Sequence, residues 1–94
     1  MLGKMKELME MKKNADKIKK ELDAISVEVE EIRGIKVILN ASQKFKSISI
    51  EEDLYNVESR EKFERNIVRS VNAAIKESQK IAAKKMQSVM PGFG

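Results

Sequence analysis

Apolar positions in the first quarter of the chain recur at alternating intervals of three and four residues, the heptad spacing of a helix with one apolar seam. We therefore predict a helix over residues 2–25. Glu7 flanks the seam on one side and Lys12 on the other, so a parallel second copy would bring Glu7 opposite Lys12. The seam can pair in this way or pack on another helix of the same chain. Its members are Leu8, Met11, Ala15, Ile18, Leu22 and Ile25.

Between residues 26 and 50 the apolar positions alternate with a period of two, which predicts a three-stranded antiparallel meander. Gly34 lies where the first hairpin needs a residue that tolerates positive φ. Ser42 and Gln43 turn the chain a second time.

Apolar and polar side chains are not cleanly divided between the two faces of this sheet. Val37 and Ile38 are neighbours and point to opposite faces, so both faces of the middle strand carry apolar side chains. Either a β-bulge shifts the alternation or a second subunit covers the other face, and we favour the second subunit. In the third strand we expect Ile48 and Ile50 on one face and Phe45 on the other.

Apolar residues return to helical spacing in the second half of the chain, which predicts a helix over residues 58–89. Asn56 or Ser59 can cap its start, and a flexible tail follows over residues 90–94. The apolar face of this helix comprises Phe63, Ile67, Val71, Ala74, Ile81 and Val89. The expected fold is α+β, a single domain over residues 1–94 in which two long helices flank a three-stranded antiparallel sheet.

The face opposite these apolar residues is almost purely basic, and we call it the basic stripe. It spans roughly 100° of the helix surface and about 33 Å along the axis. Such a face is either a solvated surface or a binding site for a polyanion. A second basic line lies opposite the seam of the first helix, at Lys6, Lys13 and Lys20. The basic stripe consists of Lys62, Arg65, Arg69, Lys76, Lys80 and Lys84.

Composition excludes most catalytic chemistry. The chain contains no Cys and no His, which removes disulfides and the usual metal ligands and general bases. We expect no enzyme activity, no cofactor, no metal and no small-molecule substrate, and we interpret the acidic residues at 51–53 as a solvated turn. The formal net charge is +4, and positive charge is concentrated at the two ends of the chain. No apolar run is long enough to span a membrane, so we expect a cytoplasmic protein.

Two segments of the predicted sheet resemble the core of the YbaB/EbfC family of bacterial nucleoid-associated proteins. They are residues 35–40, Ile-Lys-Val-Ile-Leu-Asn, and residues 46–51, Lys-Ser-Ile-Ser-Ile-Glu, followed by Leu54. The Met-, Lys- and Leu-rich first helix and the Ala73-Ala74 pair in the second helix also match. The resemblance implies a homodimer joined through its sheets, with helices that project like tweezers and grip duplex DNA in the nucleoid.

The sequence therefore predicts a dimeric nucleoid-associated protein that binds double-stranded DNA mainly through phosphates, using the basic stripe and the second basic line to neutralise charge. Few aromatic residues are available to stack on exposed bases, which disfavours single-stranded nucleic acid. The alternative is a protein-interaction or scaffold module that uses the Met-rich helix ends and the heptad seam.

Overall fold

The computed structural model describes residues 2–55 and 58–89. It confirms the predicted order of helix, three antiparallel strands and helix. One short helix, α2, lies in the acidic connection that the sequence indicated as a loop. The expected tail at 90–94 and the candidate cap Asn56 fall outside the described residues. The elements are α1 (Leu2–Ala24), β1 (Ser26–Ile32), β2 (Ile35–Asn40), β3 (Phe45–Ile50), α2 (Glu52–Tyr55) and α3 (Arg60–Val89).

Both hairpin turns form where the sequence predicted them. Gly34 has φ of +94° in the turn between β1 and β2, and Gln43 has φ of +66° in the turn between β2 and β3. The side chain of Asn40 stabilises the second turn, because its Oδ1 accepts hydrogen bonds from the backbone N–H groups of Ser42 and Lys44 at 3.0 and 2.9 Å. The strands therefore lie side by side in the order β1-β2-β3.

Helix α3 crosses one face of the sheet and forms the core with β1 and β2. Val27, Val37, Leu39 and Ala74 are almost completely shielded from solvent there, and Ile81 packs at the margin of this cluster. Since α3 covers β1 and β2, the inward side of β3 is left partly open. The core is therefore small and lies towards one edge of the sheet.

A β-bulge in β3 corrects the predicted position of Phe45. Ile38 pairs with Ser47 but Leu39 pairs with Phe45, so Lys46 is an extra residue in the β3 strand. Phe45 consequently lies on the same face as Ile48, beside α3, rather than on the opposite face. This bulge lies in β3 and leaves the alternation of β2 unchanged, so Ile38 remains on the outer face, where it is half-buried.

The two halves of α1 have different surroundings. Towards its C-terminus the helix is held by the sheet and by α3, since the Ala41 N–H donates to the Leu22 carbonyl at 3.2 Å. The Lys85 ammonium also lies 3.6 Å from the Glu21 carboxylate. Towards its N-terminus the helix is exposed, with both Leu8 and Met11 at 65% of their maximal accessibility. The protein is consequently elongated, with extents of 66 × 23 × 19 Å.

No helix in the described part of the chain combines the length and the apolar character that crossing a membrane requires.

Candidate nucleic-acid interface

The packing of α3 on the sheet determines which of its side chains face solvent. Ser70, Ala74 and Ser78 point inward and are at most 1% exposed, so the opposite side of the helix is directed away from the protein. The Ser59 hydroxyl caps the start of α3 by accepting a hydrogen bond from the Lys62 N–H at 3.3 Å. All six residues of the basic stripe are exposed on this outer side. The structure therefore presents the stripe along one continuous helix surface.

One member of the basic stripe has an acidic partner among the described residues. The Arg69 guanidinium lies 3.2 Å from the Glu31 carboxylate of β1, and both side chains are well exposed to solvent. Glu64 contacts Arg60 at 3.2 Å instead of a stripe residue. The positive charge of the stripe is therefore reduced locally at Arg69, and elsewhere it faces solvent. Sequence reasoning missed this contact because 38 residues separate its two members.

The second basic line is also exposed, with Lys6, Lys13 and Lys20 all accessible on α1. The ion pair between Glu21 and Lys85 joins α1 to α3. Because Lys20 and Lys84 are the sequence neighbours of these two residues, one end of the second basic line and one end of the stripe lie near the junction of the two helices. Lys6 lies on the projecting half of α1.

An apolar cleft of about 300 Å³ lies between α3 and β3, and the sequence did not indicate it. Val37 and Val71 form its floor and one wall, and Phe45 and Ile48 line it from β3. Phe45 is 43% exposed and Ile48 is 46% exposed. The β-bulge at Lys46 is what brings Phe45 into this cleft. A strict alternation of strand residues would have placed Phe45 on the other face of the sheet.

Among the described residues, no group of three or more acidic side chains is arranged to hold a metal ion. Tyr55 lies against the start of α3, with its ring centroid 6.0 Å from that of Phe63, which is a packing contact. The charged surface and the apolar cleft are therefore the features that carry functional information.

Comparison with known proteins gives two matches over almost the whole chain. A nucleoid-associated protein from Flavobacterium johnsoniae is 28% identical over 90 residues, which cover 95% of this chain and 83% of that protein. The model of the YbaB/EbfC DNA-binding family matches residues 1–93. This second match extends over both long helices and all three strands. The chain therefore belongs to the YbaB/EbfC DNA-binding family.

Proposed function

We propose that this protein is a nucleoid-associated protein that binds duplex DNA as a homodimer, chiefly by neutralising backbone phosphates. The observation that carries the proposal is the basic stripe, which α3 holds on its outer side along about six helical turns. Membership of a DNA-binding family and the similarity to a nucleoid-associated protein support it. The proposed location is the bacterial nucleoid in the cytoplasm.

The chemistry of the stripe suits phosphate contacts better than base recognition. Lys and Arg side chains on an exposed helix face reach backbone oxygens without entering a groove, and such contacts position a protein without reading sequence. Lys62, Arg65, Arg69, Lys76, Lys80 and Lys84 are the proposed contacts on α3, with Lys6, Lys13 and Lys20 as a second line. We therefore expect binding that depends strongly on salt and weakly on DNA sequence.

The apolar cleft supports the dimer. Phe45 and Ile48 leave large apolar surfaces exposed beside α3, and Val68, at 60% exposure, extends the apolar surface along that helix. Burying such groups is favourable by about 25 cal/mol for each Å² removed from water. Because β3 is an edge strand of the sheet, a second copy can approach the cleft without displacing another strand. A homodimer would then present two stripes.

Titration of a fluorescent duplex of random sequence tests the proposal. Anisotropy should rise with protein concentration at 50 mM salt, and an unlabelled duplex of unrelated sequence should compete almost equally well. If anisotropy does not change at low salt, the proposed DNA-binding function is wrong. Strong preference for one duplex over another would contradict the phosphate mechanism while leaving DNA binding intact.

A second candidate function is a protein-interaction module, which the exposed apolar residues at the N-terminal half of α1 favour. Met5, Leu8, Met9 and Met11 are each more than 60% exposed. Reversing the charges at Lys76 and Lys80 should abolish duplex binding if the stripe carries the function. If the interaction module is the function, that double variant keeps its activity, whereas Met5→Asp with Met9→Asp loses it.

A further inference from the structure

A polar pocket of about 580 Å³ lies between the C-terminal end of α1 and the turn that joins β2 to β3. We call it the turn pocket. None of its residues belongs to the basic stripe or to the second basic line, so the proposed DNA interface makes no use of it. Its volume is in the range of sites for small molecules. The residues that line it are Lys19, Asp23, Asn40, Ser42, Lys44 and Lys46.

The rim of the turn pocket is predominantly positive. Lys19, Lys44 and Lys46 are exposed, and none of them forms an ion pair within the described part of the chain. Asp23 opposes these three ammonium groups with one carboxylate, so two positive charges are in excess. Lys46 is the extra residue of the β-bulge, so the irregularity in β3 adds a lysine to this rim. The charge of the pocket therefore favours a doubly charged anion.

Polar groups deeper in the turn pocket have unused hydrogen-bonding capacity. Asn40 is 4% exposed, and its Nδ2 donates one N–H to the Asp23 carbonyl at 3.4 Å. The second N–H of Nδ2 has no partner among the described residues. The Ser42 hydroxyl oxygen is buried and forms no hydrogen bond there either. Because an unpaired buried polar group is costly, these two donors favour a ligand that offers acceptor oxygens.

The end of α1 repels an anion less than an uncapped helix C-terminus would. The last carbonyl groups of a helix carry negative partial charge. The Leu22 carbonyl accepts a hydrogen bond from the Ala41 N–H at 3.2 Å, and the Asp23 carbonyl accepts the bond from Asn40 Nδ2. These carbonyl groups are therefore already paired, and the three lysines determine the sign of the charge in the pocket.

We propose that the turn pocket binds the terminal phosphate group of a small soluble molecule. A phosphate monoester carries about −1.5 to −2 charges at pH 7 and offers three acceptor oxygens. It therefore matches both the excess charge of the rim and the donors of Asn40 and Ser42. A backbone phosphate of DNA carries a single negative charge, and its two flanking sugars keep it from reaching groups so deeply buried. The inference goes beyond the proposed function and does not depend on DNA binding by the basic stripe.

Titration of the full chain with inorganic phosphate tests the proposal, with the backbone amide NMR resonances of Ser42 and Lys44 as the readout. Both resonances should shift and saturate at millimolar phosphate. Sodium chloride of equal ionic strength should not reproduce the shift. Dimethyl phosphate, a diester like the DNA backbone, should bind several-fold more weakly than inorganic phosphate.

Variants of the pocket residues separate specific binding from general attraction to lysines. Ser42→Ala should weaken phosphate binding about tenfold by removing a hydrogen bond to a charged group. It should not lower the urea midpoint, because the lost hydroxyl has no partner in the described part of the protein. Lys46→Gln should weaken phosphate binding several-fold, whereas Lys36→Gln, which removes a lysine from the neighbouring strand β2, should leave it unchanged.

Three results would overturn the inference. The first is a phosphate titration that does not saturate. The second is an equal effect of Lys46→Gln and Lys36→Gln, or no effect of Ser42→Ala. The third is competition between inorganic phosphate and a duplex without terminal phosphates, which would assign the turn pocket to the DNA backbone instead.

Discussion

The Glu31 carboxylate of β1 lies 3.2 Å from the Arg69 guanidinium in the middle of the basic stripe on α3. This contact joins β1 to the surface proposed to bind DNA, and it places a carboxylate beside one of the guanidinium groups proposed to contact phosphate. Both side chains are largely solvent-exposed, and ion pairs of this kind contribute little to folding stability. We therefore expect this ion pair to affect DNA binding more than folding stability.

Removing the Glu31 charge should strengthen DNA binding. Glu31→Gln removes the carboxylate that competes with phosphate for Arg69, so Arg69 can contact a phosphate without first breaking an ion pair. Glu28→Gln is the matched control, because it also removes a carboxylate from an ion pair, with Lys36 at 3.7 Å. Duplex titrations should show tighter binding for Glu31→Gln than for the natural protein, and no change for Glu28→Gln. Equal effects of both variants would mean that net charge, and not Arg69, controls affinity.

The cleft between α3 and β3 should control dimerisation. Ile48→Lys places a charge among apolar residues that the second copy would bury, whereas Ser49→Lys adds the same charge on the opposite face of the strand. Sedimentation should give about twice the 10.7 kDa chain mass for the natural protein and for Ser49→Lys. Ile48→Lys should sediment as a monomer. A natural protein that is already monomeric at micromolar concentration would refute the proposed dimer.

The turn between β1 and β2 should not accept a side chain. Gly34 has φ of +94°, and a Cβ there would lie 2.8 Å from the Leu54 Cδ1 atom and 3.2 Å from the Glu51 Oε2 atom. Gly34→Ala should lower the free energy of unfolding by at least about 1–2 kcal/mol, the cost of a left-handed backbone for a residue with a Cβ. Gly3→Ala is the control, because a Cβ there meets no atom within 4 Å.

Urea denaturation at one fixed protein concentration measures both glycine variants, since the stability of a dimer depends on concentration. Gly3→Ala should leave the midpoint unchanged or raise it slightly, because alanine favours helix. Equal midpoints for Gly34→Ala and the natural protein would show that the turn adopts another conformation.

A buried hydrogen bond should contribute to the attachment of α3 to the sheet. The Ser78 hydroxyl donates to the Asn40 carbonyl at 2.7 Å, and Ser78 is fully buried. Asn40 also accepts a bond from the Gln43 N–H at 3.0 Å, so Ser78→Ala leaves no orphaned carbonyl and should cost about 1 kcal/mol. Ser88→Ala removes an exposed hydroxyl bond within α3 and should cost less than about 0.5 kcal/mol. Equal losses in urea denaturation would argue against a stabilising role for the Ser78 contact.

The sequence predicted the features that depend on local periodicity. Heptad spacing predicted α1, and alternation predicted the strands. Glycine is the residue type that adopts positive φ without strain, so the sequence also predicted the turn at Gly34. The sequence also predicted that the basic stripe is exposed, because the opposite side of α3 is apolar. These features arise from interactions between residues close in the chain or from burial on a single face.

Features that depend on tertiary contacts could not be predicted. The bulge at Lys46 depends on how β3 pairs with β2, and a lysine there carries no distinctive signal. The partial covering of the sheet by α3 exposes Phe45 and Ile48, which the strand pattern alone does not reveal. The ion pair between Glu31 and Arg69 likewise depends on where α3 crosses β1.

The salt dependence of duplex binding tests the central claim most directly. If the six residues of the stripe contact about six phosphates, log K against log salt should have a slope near −5, and affinity should fall roughly 10³-fold between 50 and 200 mM salt. Lys76→Gln with Lys80→Gln should reduce the magnitude of the slope by about 1.8. Lys36→Gln with Lys44→Gln, which removes two positive charges away from the stripe, should leave it unchanged. A slope near zero, or equal changes in the two double variants, would contradict phosphate binding by the basic stripe.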